Sequence, residues 1–203
     1  MNTLRYVMAA GLQTFLFTDL VGFTALTAER GDDHAADVAL DFCVRARTIA
    51  TTHHAEVVKT LGDGVMLRCP DPTDAVHVGL ELVDGLAAVP GFPAVRVGMH
   101  TGPAVHRAGD WYGTTVNLAS RLCTAASGGE VLVSASTALA AAPLRAVRLG
   151  EPRLHWLRNV VEPVTAHSAS AAPSLATRLT ARLPCLRGRM TLPTPPNLPE
   201  ALA

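Results

Sequence analysis

Short strand-like segments alternate with amphipathic helices through the first half of the chain, and this order limits the folds that it can adopt. Residues 13–19 are typical of a buried strand, and apolar residues at helical spacing predict a helix over 32–53. Two short strands are predicted at 55–60 and 64–69, around an Asp-Gly pair that is typical of a hairpin turn. The chain therefore begins with a strand, a helix and a strand hairpin.

A second helix and a further strand extend this order. The helix is predicted at about 73–88 and the strand at 95–100, which completes a βαββαβ arrangement of the ferredoxin-like type. We expect a second strand at 103–107 to pair with it around Gly102 and Pro103. The predicted fold class is therefore α/β (α+β), with a mostly antiparallel central sheet flanked by helices.

The second half of the chain continues the alternation with shorter elements. Residues 114–126 predict a helix that stops at a Gly-Gly pair. Strands are expected at about 130–134 and 144–149, with a short helix between them, and a last strand is expected within 154–168. No internal repeat is visible.

Composition sets the ends of the chain apart from its centre. We expect one domain over 13–168, after a short lead at residues 1–12. The segment 169–203 holds six prolines, four arginines and one acidic residue. This composition predicts a loosely ordered tail, and the alternative is a short helix over 175–183 that docks on a partner or a lipid surface.

Charge and hydropathy exclude several classes of protein. Half of the residues (49%) are apolar and 17% are charged, so the chain can bury a core. The net charge of +0 gives no general attraction to nucleic acid or to an acidic membrane. No long apolar run predicts a membrane-spanning helix, and the cysteines lack metal-type spacing. We expect a cytoplasmic protein with no nucleic-acid or membrane partner.

The first candidate site residue is Asp19, at the end of the predicted first strand in the stretch FTDLVGFT. A carboxylate there can hold a hard cation such as Mg²⁺, and the unpaired amides at the start of the following helix favour phosphate oxygens. The alternative interpretation is that Asp19 only caps that helix.

The second candidate is Asp63, in the stretch KTLGDG. An aspartate at this position also suits an ordinary hairpin turn, which is the alternative interpretation. If the two strands lie side by side, Asp19 and Asp63 meet at one edge of the sheet. Two carboxylates can then bridge two cations, an arrangement that promotes in-line displacement at phosphorus.

The third group lies in the stretch DWYGTTVNLASR, where Asn117 and Arg121 are four residues apart on the predicted helix. Side chains at this spacing share one helix face. An amide and a guanidinium on one face suit a ribose and a phosphate. A solvated polar face is the alternative interpretation.

Taken together, the three stretches resemble the catalytic domain of the class III nucleotidyl cyclases, the adenylate and guanylate cyclase family. The resemblance runs from about residue 13 to 167, with the motifs in the family's order and at the family's spacing. It implies that Asp19 and Asp63 bind two divalent ions, Mg²⁺ or Mn²⁺, and that Lys59 and Asp110 read the purine.

The same resemblance implies roles at the ribose and the phosphates. Asn117 would orient the ribose, and Arg121 would stabilise the charge that develops at the α-phosphate. The metal and phosphate loop would consist of five consecutive residues: Leu20, Val21, Gly22, Phe23 and Thr24. Many family members also have a Lys-Gly pair that contacts the triphosphate, and Arg158 occupies the loosely corresponding place.

The choice of base follows from hydrogen-bond chemistry. Adenine presents an acceptor at N1 and a donor at the 6-amino group, so the Lys59 ammonium and the Asp110 carboxylate complement it. Guanine presents the opposite pattern and would be mismatched at both groups. This favours ATP over GTP. Lys59 is also the single lysine among 17 basic residues.

The resemblance therefore implies an adenylate cyclase that converts ATP to 3′,5′-cyclic AMP and pyrophosphate. In the family, the site forms between two domains arranged head to tail, and this chain carries both sets of residues, which implies a homodimer. Three alternatives stay open: a guanylate cyclase, a dimerisation or nucleotide-sensing module with little turnover, and another palm-type nucleotidyltransferase.

Overall fold

The computed structural model describes residues 11–172, and these residues form ten strands and five helices. The strands are β1 (Leu12–Leu20), β2 (Glu56–Leu61), β3 (Gly64–Cys69), β4 (Val95–Pro103), β5 (Val105–Arg107), β6 (Asp110–Tyr112), β7 (Val131–Ser134), β8 (Val147–Leu149), β9 (Arg153–His155) and β10 (Val164–Ala171). The helices are α1 (Phe23–Arg30), α2 (Asp32–Thr52), α3 (Pro72–Ala87), α4 (Thr114–Ala125) and α5 (Ala135–Ala140).

Eight of the strands form one sheet, in the order β2-β3-β1-β4-β7-β10-β8, with β9 paired to β10. Only the pairing of β4 with β7 is parallel within this sheet. The order β2-β3-β1-β4 is that of a ferredoxin-like βαββαβ unit. The predicted fold class, a mostly antiparallel sheet flanked by helices, is confirmed.

The two faces of the sheet bury different helices. Successive residues of a strand point to opposite faces, so Leu16 packs on the side of α2 and α3, whereas Phe15 packs on the side of α4. Both side chains are fully buried. Each such burial contributes about 1.5–3 kcal/mol, so the two apolar layers hold the helices in place on either side of β1.

The predicted pairing of 95–100 with 103–107 is wrong. Strand β4 continues through Gly102, and β5 instead pairs with β6 in a separate two-stranded sheet. Gly102 marks a close approach rather than a turn, because a Cβ atom there would lie 2.6 Å from Oγ1 of Thr115 in α4. The actual turn lies at Ala108 and Gly109, which both have positive φ, as a tight hairpin turn requires.

The end of the sheet also differs from prediction. The region 154–168 contains most of β9 and the first part of β10. Strand β10 continues to Ala171, so residues 169–171 are part of the sheet rather than of the tail. Residues 173–203 of the predicted tail and residues 1–10 of the lead lie outside the described residues. Between residues 11 and 172, no helix has the length and apolar character needed to cross a membrane.

Candidate active site

The structure brings Asp19 and Asp63 together at one edge of the sheet. Asp19 is paired with Gly64 across β1 and β3, so the β2–β3 turn that carries Asp63 lies beside the end of β1. Burial raises the pKa of Asp63 above its usual value, and the nearby Asp19 carboxylate raises it further. Two carboxylates this close repel each other when both are ionised. A bound cation would remove this repulsion.

Asp19 is not the cap of the following helix. The N-cap of α1 is Gly22, in a left-handed conformation, and no side chain accepts a hydrogen bond from the first turn. The carboxylate is engaged elsewhere, because its Oδ2 accepts hydrogen bonds from Nε of Arg96, at 2.8 Å, and from Nη2 of the same side chain. The capping interpretation is therefore wrong.

Arg96 is a site residue that the sequence analysis missed. It lies in β4 directly opposite Asp19, so the pairing of the strands aims the guanidinium at the carboxylate. Its third nitrogen donates to the carbonyl of Thr124 at 3.3 Å, which connects the pair to α4. The available signal was one charged residue within the otherwise apolar strand VRVGM.

A cleft of about 280 Å³ opens beside this ion pair. It is lined by Phe17, Thr18, Asp19, Leu61, Gly64, Arg96, Ser120, Cys123 and Thr124. We call it the acidic cleft. Burial raises the pKa of the Cys123 thiol to about 12, so this side chain is a neutral wall of the cleft rather than a thiolate ligand.

The acidic cleft fits Mg²⁺ or Mn²⁺ better than a soft transition metal. Across the described part of the chain, no three His, Cys, Asp or Glu side chains converge as a complete ligand set. Asp19 and Asp63 therefore offer two carboxylates and leave the other ligand positions to backbone, water or substrate. Mg²⁺ is usually held in this way, by one or two carboxylates together with phosphate oxygens.

The loop from Leu20 to Thr24 joins β1 to α1, and one of its backbone amides is already engaged. Leu20 is the buried last residue of β1, and the Val21 amide already donates to the carbonyl of Ala94 at 2.8 Å. Phe23 and Thr24 begin α1, whose N-terminus has no side-chain cap. The first amides of α1 are therefore the better placed donors for an anion.

Lys59 and Asp110 form a pair within the chain. Nζ of Lys59 donates to Oδ2 of Asp110 at 2.5 Å, and this hydrogen bond lowers the pKa of the carboxyl group. A β-bulge at Val58 makes the contact possible, because it shifts the register so that Lys59 lies opposite Met66. Without the bulge Lys59 would lie opposite Val65, on the other face of the sheet.

Asn117 and Arg121 both lie on α4, but they line separate clefts. Asn117 lines a cleft of about 450 Å³ together with the segment 159–164. Arg121 lines a cleft of about 260 Å³ together with Trp156 and Arg158. We call the latter the cationic cleft. Neither arginine forms an ion pair with any residue between 11 and 172.

The backbone conformation of the residue after Arg158 is one that glycine favours. This agrees with the alignment of Arg158 and Asn159 with the Lys-Gly pair of the cyclase family that the sequence resembles. Asn159 has φ of 59°, in the left-handed region that glycine favours and that asparagine tolerates better than most residues. The carbonyl of Leu157 accepts from the amide of Val160 at 3.1 Å and closes the turn. Arg158 is therefore presented from a defined turn into the same cleft as Arg121.

The predicted site residues thus lie in separate groups within one chain and do not share a single cleft. Asp19 and Asp63 line or adjoin the acidic cleft, and Lys59 and Asp110 form a pair of their own. Arg121 and Arg158 line the cationic cleft, next to the cleft of Asn117.

Comparison with known proteins identifies the family. Residues 8–151 match the model of the adenylate and guanylate cyclase catalytic domain, and this chain belongs to that family. It is 42% identical over 123 residues to a pH-sensitive adenylate cyclase of Mycobacterium tuberculosis, covering 61% of this chain and 31% of that protein. It is 38% identical over 122 residues to an adenylate cyclase of Streptomyces griseus, covering 60% of this chain and 31% of that protein.

The fold agrees with this assignment. A structure of Trypanosoma brucei adenylate cyclases in their monomeric state superimposes with a TM-score of 0.70 at 24% identity, covering 81% of this chain and 90% of that one. In both sequence relatives the match spans 31% of the relative's length, so this chain corresponds to about a third of each of these proteins.

Proposed function

We propose that the chain is an adenylate cyclase that makes 3′,5′-cyclic AMP and pyrophosphate from ATP, at two sites shared between two copies of the chain. The observation that carries the proposal is the separation of the acidic and cationic clefts within one chain. A head-to-tail dimer would place the cationic cleft of one copy over the acidic cleft of the other, which completes the site twice by symmetry.

The reaction is an in-line displacement within the nucleotide. The ribose 3′-oxygen attacks the α-phosphorus, the bond to the bridging oxygen breaks, pyrophosphate leaves and the 3′-hydroxyl proton passes to solvent. Two divalent cations, Mg²⁺ or Mn²⁺, held by Asp19 and Asp63 would lower the pKa of the 3′-hydroxyl and neutralise charge on the triphosphate.

The chain's own residues supply orientation and charge. Arg121 of the second copy donates hydrogen bonds to the α-phosphate as negative charge develops there, and Asn117 holds the ribose in the attacking geometry. Arg158 reaches the outer phosphates from its turn. When a cation binds Asp19, the Arg96 guanidinium is free to turn from the carboxylate towards the triphosphate.

The Lys59–Asp110 pair supports ATP as the substrate. Its donor and acceptor lie side by side before the nucleotide arrives, so the adenine N1 and 6-amino groups meet a preformed complement. Guanine presents an acceptor and a donor in the opposite arrangement, so it would disrupt the Lys59–Asp110 pair without matching either group, which discriminates against it.

The first test is an assay of product. Purified chain with Mn²⁺ is incubated separately with ATP and with GTP, and the cyclic nucleotide and pyrophosphate are measured. We expect cyclic AMP to be the main product. Cyclic GMP as the main product would identify a guanylate cyclase, and ATP binding without turnover would identify a nucleotide-sensing module.

The second test addresses the shared site. Asp19→Ala and Arg121→Ala should each be inactive alone, and an equimolar mixture should recover about a quarter of the wild-type activity. This fraction follows because half of the dimers in the mixture are mixed, and each mixed dimer has one intact site of two. A mixture of Asp19→Ala with Asp63→Ala is the matched control, because both defects fall in the same half-site and no site is restored. Equal activity of the two mixtures would rule out the shared site.

A further inference from the structure

An exposed tryptophan lies in the cationic cleft. Trp156 has 77% of its surface accessible, directly after β9. The next residue, Leu157, is 7% exposed and packs with Leu122 of α4 and Ala166 of β10. The loop after β9 is therefore anchored to the core by Leu157, and the indole of the neighbouring Trp156 is exposed to solvent in a fixed position.

A partner that covered the ring would gain apolar burial. A tryptophan side chain buries on the order of 150–250 Å² when it packs, and tryptophan and arginine are the residue types most enriched at the energetic centres of protein interfaces. Trp156 lies beside both Arg121 and Arg158 in one cleft of about 260 Å³. This combination is typical of a contact surface.

We infer that Trp156 packs against a second copy of this chain when the shared site closes, and so holds the turn that carries Arg158 over the triphosphate. The inference rests on the proposed function. Charge complementarity selects the occupant, because the two arginines require anions and the acidic cleft of a second copy, loaded with nucleotide, supplies them. Trp156 lines the same cleft as Arg121 and Arg158, so the surface around the indole would be continuous with that contact.

An apolar surface is available beside the carboxylates of the second copy. Val21 follows β1 two residues after Asp19 and is 38% exposed. The indole would cover this side chain as the arginines approach the phosphates. Stacking on the purine is a weaker alternative, because the donor and acceptor that suit adenine lie on the β2 and β6 strands rather than in this cleft.

Fluorescence can follow this contact directly, because the chain has two tryptophans and Trp111→Phe leaves Trp156 as the single reporter. Trp111 is partly buried against Phe15, and phenylalanine keeps an aromatic ring there. The reporter chain is titrated with 3′-deoxy-ATP, a nucleotide that cannot cyclise, in the presence of Mn²⁺. Sedimentation velocity records dimer formation in the same samples. We expect the emission to shift to the blue and iodide quenching to fall as the dimer forms.

The matching variants are Trp156→Ala and Trp156→Phe in the otherwise unaltered chain. We expect the alanine variant to weaken nucleotide-dependent dimerisation and to lower turnover by about tenfold at fixed protein concentration, and the phenylalanine variant to recover most of the loss. Leu139→Ala is the control. Leu139 is 73% exposed but lines none of the three clefts, so neither dimerisation nor turnover should change.

The outcomes separate this inference from the proposed function. If the wild-type chain makes cyclic AMP but Trp156→Ala dimerises and turns over normally, or the emission is unchanged in the dimer, the inference is wrong and the cyclase activity stands. If the wild-type chain makes no cyclic nucleotide, the proposed function fails, and the emission and sedimentation measurements still decide whether Trp156 is covered by a second copy.

Discussion

The acidic and cationic clefts balance charge in different ways. In the acidic cleft, Asp19 is paired with Arg96, and both side chains are about a quarter exposed. In the cationic cleft, Arg121 and Arg158 find no acidic partner within residues 11–172, and Trp156 lies open beside them. Asp19 therefore has a counter-ion within the chain, whereas the two arginines of the cationic cleft have none among the described residues. This difference agrees with the proposed site shared between two copies.

Helix α4 forms the wall between the two clefts. Its residues Ser120 and Cys123 line the acidic cleft, Arg121 and Ala125 line the cationic cleft, and Thr124 lines both. The helix lies unusually close to β4, because a Cβ atom on Gly98 would come within 1.9 Å of the backbone nitrogen of Cys123. The position of both half-sites therefore depends on the absence of a side chain at residue 98.

The largest effect is expected for Gly98→Ala. The added methyl group meets the backbone of α4 rather than a flexible side chain, so the helix must move or the strand must distort. We expect a loss of about 3 kcal/mol in the free energy of unfolding, measured by urea titration, together with a loss of activity. Gly85→Ala is the control, since a Cβ atom there meets nothing within 4 Å and alanine favours the helix by about 0.5–1 kcal/mol. A normal free energy of unfolding for Gly98→Ala would refute the close approach of α4 to β4.

A smaller effect on the free energy of unfolding is expected when Arg96 of the acidic cleft and Arg121 of the cationic cleft are each replaced by alanine. Arg96→Ala leaves Asp19 and Asp63 without their cation, so we expect a loss of about 1 kcal/mol in the free energy of unfolding in EDTA, reduced when Mg²⁺ is added. Arg121→Ala breaks no ion pair among the described residues, and we expect a change within about 0.5 kcal/mol with or without Mg²⁺. Equal effects of the two substitutions would contradict the contrast between the clefts.

The smallest expected effect is the pH dependence of stability that arises from the ionisation of Asp63. Because the pKa of Asp63 is raised in the folded chain, the folded state keeps a proton that the unfolded state has already released. Stability therefore falls as the pH rises from the ordinary aspartate pKa through the raised value, and the cost persists at neutral pH.

Asp63→Asn removes this ionisation. We expect it to melt about 1–3 °C above the wild-type chain at pH 7 in EDTA, and to lose that advantage at pH 3 or when Mg²⁺ is added to the wild-type chain. Differential scanning calorimetry at the two pH values provides the measurement. A variant that melts below the wild-type chain at pH 7 would show that the Asp63 carboxylate is stabilised rather than crowded by its surroundings.

The elements with strong local signals could be predicted from the sequence. The periodicity of 32–53 and 73–88 anticipated α2 and α3, and the Asp-Gly pair anticipated the β2–β3 hairpin within a residue at each end. The candidate carboxylates could be found because they occupy the ends of elements, where a polar side chain in an apolar context is visible. Their convergence followed from one assumption, that β1 and β3 are neighbours.

The features that depend on distant residues were missed. The role of Gly102 was misassigned because the side chain that leaves no room for a Cβ atom there, Thr115, lies on another element. The bulge at Val58 has no turn-like residue to reveal it, although it decides which face Lys59 occupies. Arg96 was overlooked because its partner Asp19 is 77 residues away in the chain.

The amino-acid sequence alone determined the fold class, the order of elements and the identity of the side chains available for chemistry, because periodicity, turn residues and motif spacing are local properties of a chain. Only the tertiary structure decided which of those side chains share a cleft. Strand register and the close approach of α4 to β4 sort Asp19 with Arg96 and Arg121 with Arg158, and such grouping depends on packing between residues that are far apart in sequence.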